Sequence, residues 1–209
     1  MKFQLPSIYP ITDVQLSGLS HSEQIRRFGE AGAKLVQIRE KHLSSAEFLA
    51  DAQDALATAR AYGITTIIND RADIAMVMDA DGVHLGQDDI PAESARSLLG
   101  SDAIIGISTH DFEQAQRAAE LPIDYIAFGP IFATATKADP YPEVGLGPLR
   151  KVRHIVGEIP LVAIGGITRG NLQDVLDTGA DSAAIIADLA ADPSWIASRI
   201  MVPDQRIEG

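Results

Sequence analysis

The stretch "EAGAKLVQIREKH", Glu30 to His42, passes from a helical end through an apolar run into a charged loop. Gly32 suits the left-handed turn that closes a helix. Leu35 to Arg39 is then too short for a helix and too continuously apolar for a half-exposed strand, so it reads as a strand covered on both faces. In an extended chain Gln37, Arg39 and Lys41 share one face, because strand side chains alternate with period two. An amide and two cations lined up at the end of a buried strand point to a site for an anion.

The same sentence is repeated along the chain. Apolar runs fall at Ile8 to Thr12, Leu35 to Arg39, Thr66 to Asn69, Gly82 to Leu85, Ile104 to Ser108, Tyr125 to Phe128, Leu161 to Ile164 and Ser182 to Ile186. Helical spacing fills the intervals at His21 to Ala31, Ser44 to Tyr62, Arg71 to Met78, Pro91 to Leu99, Asp111 to Glu120, Leu149 to Gly157, Asn171 to Thr178 and Asp192 to Ile200. "EAGAKLVQI", "MDADGVHL" and "DTGADSAAI" share a tight joint from helix into strand. Eight βα units with recurrent joints predict a single-domain (β/α)8 TIM barrel over residues 1–201 with a tail at 202–209; a doubly wound open sheet is the alternative.

Composition sets bounds on function. The 209 residues are 46% hydrophobic and 22% charged, with a net charge of -12. That acidity argues against general binding to nucleic acid or to an anionic membrane, while leaving room for a small cationic site. Without cysteine there are no disulfides, thiolate zinc sites or cysteine nucleophiles. "MKFQLPSIYPITD" lacks the apolar core of a signal peptide, and no run approaches the roughly 18 apolar residues of a membrane span, so a cytoplasmic location is expected. Small-molecule substrates are the expected partners; homo-oligomerisation stays open.

A barrel places its site at the C-terminal ends of its strands, and there the sequence becomes polar and chemically mixed. Asp70 and Asp89 follow the third and fourth strands and could share one Mg2+, with water and phosphate completing its shell. Alternatively Asp70 caps the next helix, and Asp88 or Asp89 the one opening at Pro91. Arg39 suits bidentate phosphate binding, Lys41 acts as a point charge, and Lys137, on "FATATK", can reach from across the mouth. Three cations with Mg2+ match a diphosphate better than a single carboxylate. Gly165 and Gly166 after the seventh strand suggest a second, phosphate-binding corner. Ser108 reads as a hydrogen-bonding group for diphosphate or a ring amine, or as a helix cap. His84, inside the fourth strand, fits either a packed histidine or a ligand contact. Thr134 and Thr136 share a face if extended, as a lid over a second substrate would need.

In order, "YPITD", "VQIREK", "IINDRADIA", "DGVHLGQDDIP", "IIGIST", "DYIAFGPIFATATK" and "VAIGGI" resemble the thiamine phosphate synthase family over nearly the whole chain. The resemblance implies a barrel that joins 4-amino-2-methyl-5-hydroxymethylpyrimidine diphosphate to 4-methyl-5-(2-hydroxyethyl)thiazole phosphate and releases diphosphate with Mg2+. It carries the pyrimidine diphosphate site onto Gln37, Ile38, Arg39, Glu40, Lys41, Asn69, Ser108 and Lys137, and the metal ligands onto Asp70 and Asp89. The thiazole phosphate site falls on Thr134, Ala135, Thr136, Gly166, Ile186 and Ala187. Arg39, Lys41, Ser108 and Lys137 are then the expected catalytic residues.

One departure stands out. The family usually has Ser where this chain has Ala187, and a small residue where it has Asp188. The missing hydroxyl removes about 0.5 to 1.5 kcal/mol of hydrogen bonding, and a carboxylate at a phosphate corner repels its ligand unless it turns away. A thiazole tautomerase would share barrel and corner but not need the Mg2+ ligands with Arg39, Lys41 and Lys137. A sugar-phosphate epimerase would need an acid/base pair that the sequence does not offer, and a phosphate-ligand sensor would not need an intact leaving-group site.

Overall fold

Runs of β-branched and small apolar residues pair side by side into one parallel sheet in the computed structural model, which describes residues 4–134 and 141–197. The strands are β1 (Ile8–Pro10), β2 (Leu35–Ile38), β3 (Thr65–Asn69), β4 (Gly82–Leu85), β5 (Ile104–Thr109), β6 (Tyr125–Phe128), β7 (Leu161–Ile164) and β8 (Ser182–Ile185). From β2 to β8 every strand pairs with its sequence successor, and β1 pairs with β8. The remaining gap, β1 to β2, is bridged at Ile11–Gln37, where the Thr12 N–H donates to the Gln37 carbonyl at 2.9 Å. This is the (β/α)8 barrel, and the open-sheet alternative is excluded because its first and last strands would not meet.

The helices are α1 (Val14–Ser17), α2 (His21–Glu30), α3 (Ser45–Tyr62), α4 (Ala72–Met78), α5 (Ala92–Leu99), α6 (Phe112–Ala118), α7 (Leu146–Val156), α8 (Leu172–Leu176) and α9 (Ala187–Ala191). Several predicted starts prove to be N-caps: Ser44, Arg71, Pro91, Asp111 and Asn171 each precede the first helical residue. Ser44 and Glu47 form a reciprocal capping box, which fixes where the long α3 begins. Two corrections matter. Helix α7 starts three residues earlier than predicted, because Pro148 lies in its first turn, where a missing N–H has no partner to lose. Helix α9 follows β8 directly, where a strand end and loop were expected; of the predicted helix Asp192 to Ile200, only Ile196 and Ala197 are helical among the described residues. Among the described residues no helix is long and apolar enough to cross a membrane.

Strand alternation sorts the core into two layers. Outward positions such as Val36, Ile38, Ile68, Val83, Ile105 and Phe128 pack beneath the helices. Inward positions Tyr9, Leu35, Ile67, Tyr125, Ala127, Val162 and Ala184 fill the barrel. The Tyr125 ring fits only because β5 has no side chain at Gly106, where a Cβ would lie 2.0 Å from Tyr125 Cζ. At the N-terminal face the repeated joints have a common purpose. Asp81, Asp124 and Asp181, each just ahead of an even-numbered strand, accept the backbone N–H of Thr66, Ile105 and Leu161 at 2.7 to 2.8 Å. Arg96 and Arg153 pair with the latter two, so this face holds the barrel together while the opposite one carries chemistry.

Candidate active site at the C-terminal mouth of the barrel

The inward row of side chains continues past the apolar layer into a cavity of about 530 Å³, within the size range of small-molecule sites. Gln37 of β2, Asn69 of β3, His84 of β4 and Ser108 of β5 form its floor; Arg39, Thr134, Gly166, Ile186 and Ala187 rise around it. Asn69 is buried, and its Nδ2 has no hydrogen-bond partner among the described residues, so this amide can donate to a ligand in the cavity. Arg39 donates from Nη1 to Asp13 Oδ2 at 2.9 Å, and both side chains are largely buried. Asp13 also caps α1 through Leu16 N–H, so one carboxylate fixes both the helix and the guanidinium.

Acidic groups gather on the loops after β3 and β4. Asp70 has φ of +62°, a left-handed conformation uncommon outside glycine, and its N–H donates to the His84 carbonyl at 2.7 Å. Held this way, its carboxylate pairs with Lys41 and comes within hydrogen-bonding range of Asp89. Strain of this kind persists where the surroundings enforce it, commonly at functional sites. Burial chiefly raises the Asp89 pKa, with the Asp70 charge adding to it, while the Gly86 N–H (2.6 Å) and Lys41 oppose the rise. Neither aspartate caps a helix. Asp88 is exposed and takes no part. Among the described residues no three His, Cys, Asp or Glu side chains form a metal cage. Two carboxylates whose charges crowd one another do suit a hard cation that keeps water and phosphate oxygens in its shell, as Mg2+ does.

Beneath the cavity runs a buried polar chain. Gln37 Nε2 donates to Tyr9 Oη (3.3 Å), Tyr9 Oη meets Tyr125 Oη (3.0 Å), Tyr125 Oη meets His84 Nδ1 (2.9 Å), and His84 Nε2 meets Ser108 Oγ (2.8 Å). The His84 and Tyr125 rings stack at 5.5 Å. Burial drives both phenols well above their ordinary pKa, so they remain protonated.

On the opposite wall, Gly165 and Gly166 have φ of +103° and +62°, and a Cβ on Gly166 would meet the Ala133 carbonyl at 2.5 Å. The backbone therefore approaches the cavity closely where a side chain cannot fit. Asp188 faces the same corner, and its Oδ2 accepts the Arg169 N–H at 2.9 Å. The carboxylate thus ties the β7 loop to α9 instead of capping the helix.

Of the expected site residues, Gln37, Arg39, Asn69, Ser108, Thr134, Gly166, Ile186 and Ala187 line the cavity, while Lys41, Asp70 and Asp89 form a cluster of their own outside its lining. Ile38 joins neither group: its side chain points outward into the helix layer, leaving only its backbone for a ligand. Glu40 turns from the cavity to accept the N–H groups of His42 (2.5 Å) and Leu43 (3.1 Å). Lys41 leaves the shared face of Gln37 and Arg39 because β2 ends at Ile38. Ala135, Thr136 and Lys137 lie outside the described residues.

Sequence reasoning missed several contributors. Asp13 was visible only as one polar strand end among many. His21, fully buried under the loop that carries Lys41, sits 3.4 Å from Glu40 and 3.5 Å from Asp51. Its burial lowers its pKa against the pull of those carboxylates, and its Nδ1 meets Thr12 Oγ1 at 2.7 Å. His110 stacks on Tyr141 with ring centres 3.8 Å apart at the rim, a pairing that no local pattern announces.

A family model described as thiamine monophosphate synthase matches residues 8–189. A thiamine-phosphate synthase of Syntrophomonas wolfei is 46% identical over 184 residues, 88% of each chain. One from Koribacter versatilis is 44% identical over 203 residues, 95% of each. Among solved structures, a thiamine phosphate pyrophosphorylase from Pyrococcus furiosus superposes with a TM-score of 0.81 at 33% identity, covering 94% of this chain and 97% of that one.

Proposed function

Since this chain belongs to the thiamine monophosphate synthase family, we propose that it is a transferase that condenses 4-amino-2-methyl-5-hydroxymethylpyrimidine diphosphate with 4-methyl-5-(2-hydroxyethyl)thiazole phosphate, giving thiamine phosphate and diphosphate. The observation that carries the site assignment is the cavity lined by Gln37, Arg39, Asn69 and Ser108 at the strand ends, with Asp70, Asp89 and Lys41 clustered on the loops that follow β2, β3 and β4.

The exocyclic carbon of the pyrimidine bears the leaving diphosphate, and the aminopyrimidine ring can delocalise positive charge as that bond breaks. The task of the protein is then to receive negative charge on the departing group. Arg39, already oriented by Asp13, is preorganised for it, and such contacts are often the largest catalytic term; Lys41, paired with Asp70 in the ligand-free protein, would turn to the diphosphate once Asp70 engages the metal. Asn69 adds its unpaired amide N–H groups. Lys137 is assigned the same role on the strength of the family resemblance. Mg2+ held by Asp70 and Asp89 would supply further positive charge to the leaving group. The thiazole phosphate seats against Gly166, Thr134 and the start of α9, and the thiazole nitrogen attacks with its own lone pair, so no general base is required.

Mixing both substrates with Mg2+ should yield thiamine phosphate and diphosphate in equal amounts. Asp70→Ala should abolish Mg2+-dependent turnover in a protein that still folds. Binding of one substrate without coupling under any metal, or unchanged kinetics in the variant, would refute this reading.

A further inference from the structure

The buried chain under the cavity has a direction. An amide N–H can only donate, so Tyr9 Oη accepts from Gln37 Nε2 and must send its single proton onward to Tyr125 Oη. Tyr125 Oη, having accepted, gives its proton to His84 Nδ1. A neutral imidazole that accepts at Nδ1 carries its proton on Nε2, which therefore donates to Ser108 Oγ. We infer that Tyr9, Tyr125 and His84 are positioning residues whose hydrogen bonds run one way from the Gln37 amide, holding the Ser108 hydroxyl as a donor into the cavity. The group it meets is an acceptor, a diphosphate oxygen or a pyrimidine ring nitrogen, and not an N–H of the exocyclic amine.

The substrate identity rests on the proposed function, whereas the chain itself does not. Ser108 lines the cavity, and His84 is its hydrogen-bond partner below. The chain links residues of β1, β2, β4, β5 and β6 across the barrel interior, and Gly106 opens the space for the Tyr125 ring on which it turns. Reversing the Gln37 amide would reverse every bond, put the histidine proton on Nδ1 and turn Ser108 into an acceptor.

The test is the tautomer of His84 in ligand-free protein labelled with 15N-histidine, read by long-range 1H–15N correlation and assigned through its own backbone. A neutral ring protonated at Nε2 is the expected result; protonation at Nδ1, or an imidazolium at neutral pH, would overturn the inference. Tyr9→Phe cuts the chain between Gln37 and Tyr125. It should give a mixture of His84 tautomers and lower kcat/KM for the pyrimidine diphosphate by about three- to tenfold, with KM for the thiazole phosphate unchanged. A single unchanged tautomer in that variant would show that Gln37 does not set the direction. If Tyr9→Phe does not fold, the tautomer in the unaltered protein decides alone. Thiamine phosphate formation by the unaltered protein reports separately on the proposed function.

Discussion

Asp89→Asn isolates the electrostatic tension at the rim. The carboxamide keeps an oxygen for the Gly86 N–H (2.6 Å) and removes one of two crowded negative charges. Like charges about 4 Å apart repel by about 1 kcal/mol in water and about 4 kcal/mol at an effective dielectric constant of 20. Lys41 on Asp70 cancels part of this, and the rim is partly solvated, so a net gain of about 1 kcal/mol is expected for the variant without metal. For a chain of this length that raises Tm by about 2 to 4 °C at neutral pH. The folded pKa of Asp89 lies above its ordinary value of 3.8, so the folded protein holds this proton more tightly than the unfolded chain. The penalty is therefore absent below the unfolded pKa, grows as pH rises through the folded pKa, and is constant above it. The advantage of the variant should shrink as the solution is acidified toward the ordinary value. Mg2+ should reverse the ranking at neutral pH: at ten times its Kd it stabilises the unaltered protein by about 1.4 kcal/mol and the variant by much less. Thermal melts from acid to neutral pH, with and without Mg2+, read all of this. A variant that is less stable without metal at neutral pH, or that keeps the full Mg2+ gain, would refute the reasoning.

Two further substitutions probe the floor and the phosphate corner. Gly106→Ala drives a methyl to 2.0 Å from Tyr125 Cζ, and the ring is held by Tyr9 and His84, so a loss of about 3 kcal/mol and a Tm lower by about 6 to 12 °C are expected in a melt; a shift under 2 °C would mean that the ring moves freely. Asp188→Asn keeps an acceptor for the Arg169 N–H and removes a charge from the corner proposed for the second substrate, so KM for the thiazole phosphate should fall about threefold while that for the pyrimidine diphosphate stays constant; a rise would show that the carboxylate helps binding.

The barrel was legible because its strands are buried on both faces and so appear as apolar runs, and because Ser44, Asp111 and Asn171 mark helix starts in the sequence. Pro148 misled in the other direction: a residue that breaks a helix interior is harmless in a first turn, and only the register of α7 reveals which it is. Gln37, Arg39, Asn69 and Ser108 could be placed together since strand ends of a barrel converge. The backbone of Asp70 could not be read, because φ of +62° is imposed by the surroundings and not by its residue type. Tyr9 and Tyr125 were hidden for a related reason. Each looks like core within its own strand, and their meeting 116 residues apart depends on both facing inward at the same level of the barrel.

The contrast between a charged rim and a neutral floor fits the proposed reaction. Under that proposal, loss of diphosphate leaves an electron-poor carbon in the cavity, and any unengaged nucleophile beside it would compete with the thiazole nitrogen. The floor presents none of high reactivity. His84 has both nitrogens engaged, at 2.9 Å by Tyr125 and 2.8 Å by Ser108, and burial keeps the two phenols from ionising. Two carboxylates of the cavity wall and its surround are held by partners: Asp13 by Arg39, and Asp188 by the Arg169 N–H. Ion pairs at the rim and saturated hydrogen bonds beneath thus serve one end, leaving the second substrate as the strongest nucleophile within reach.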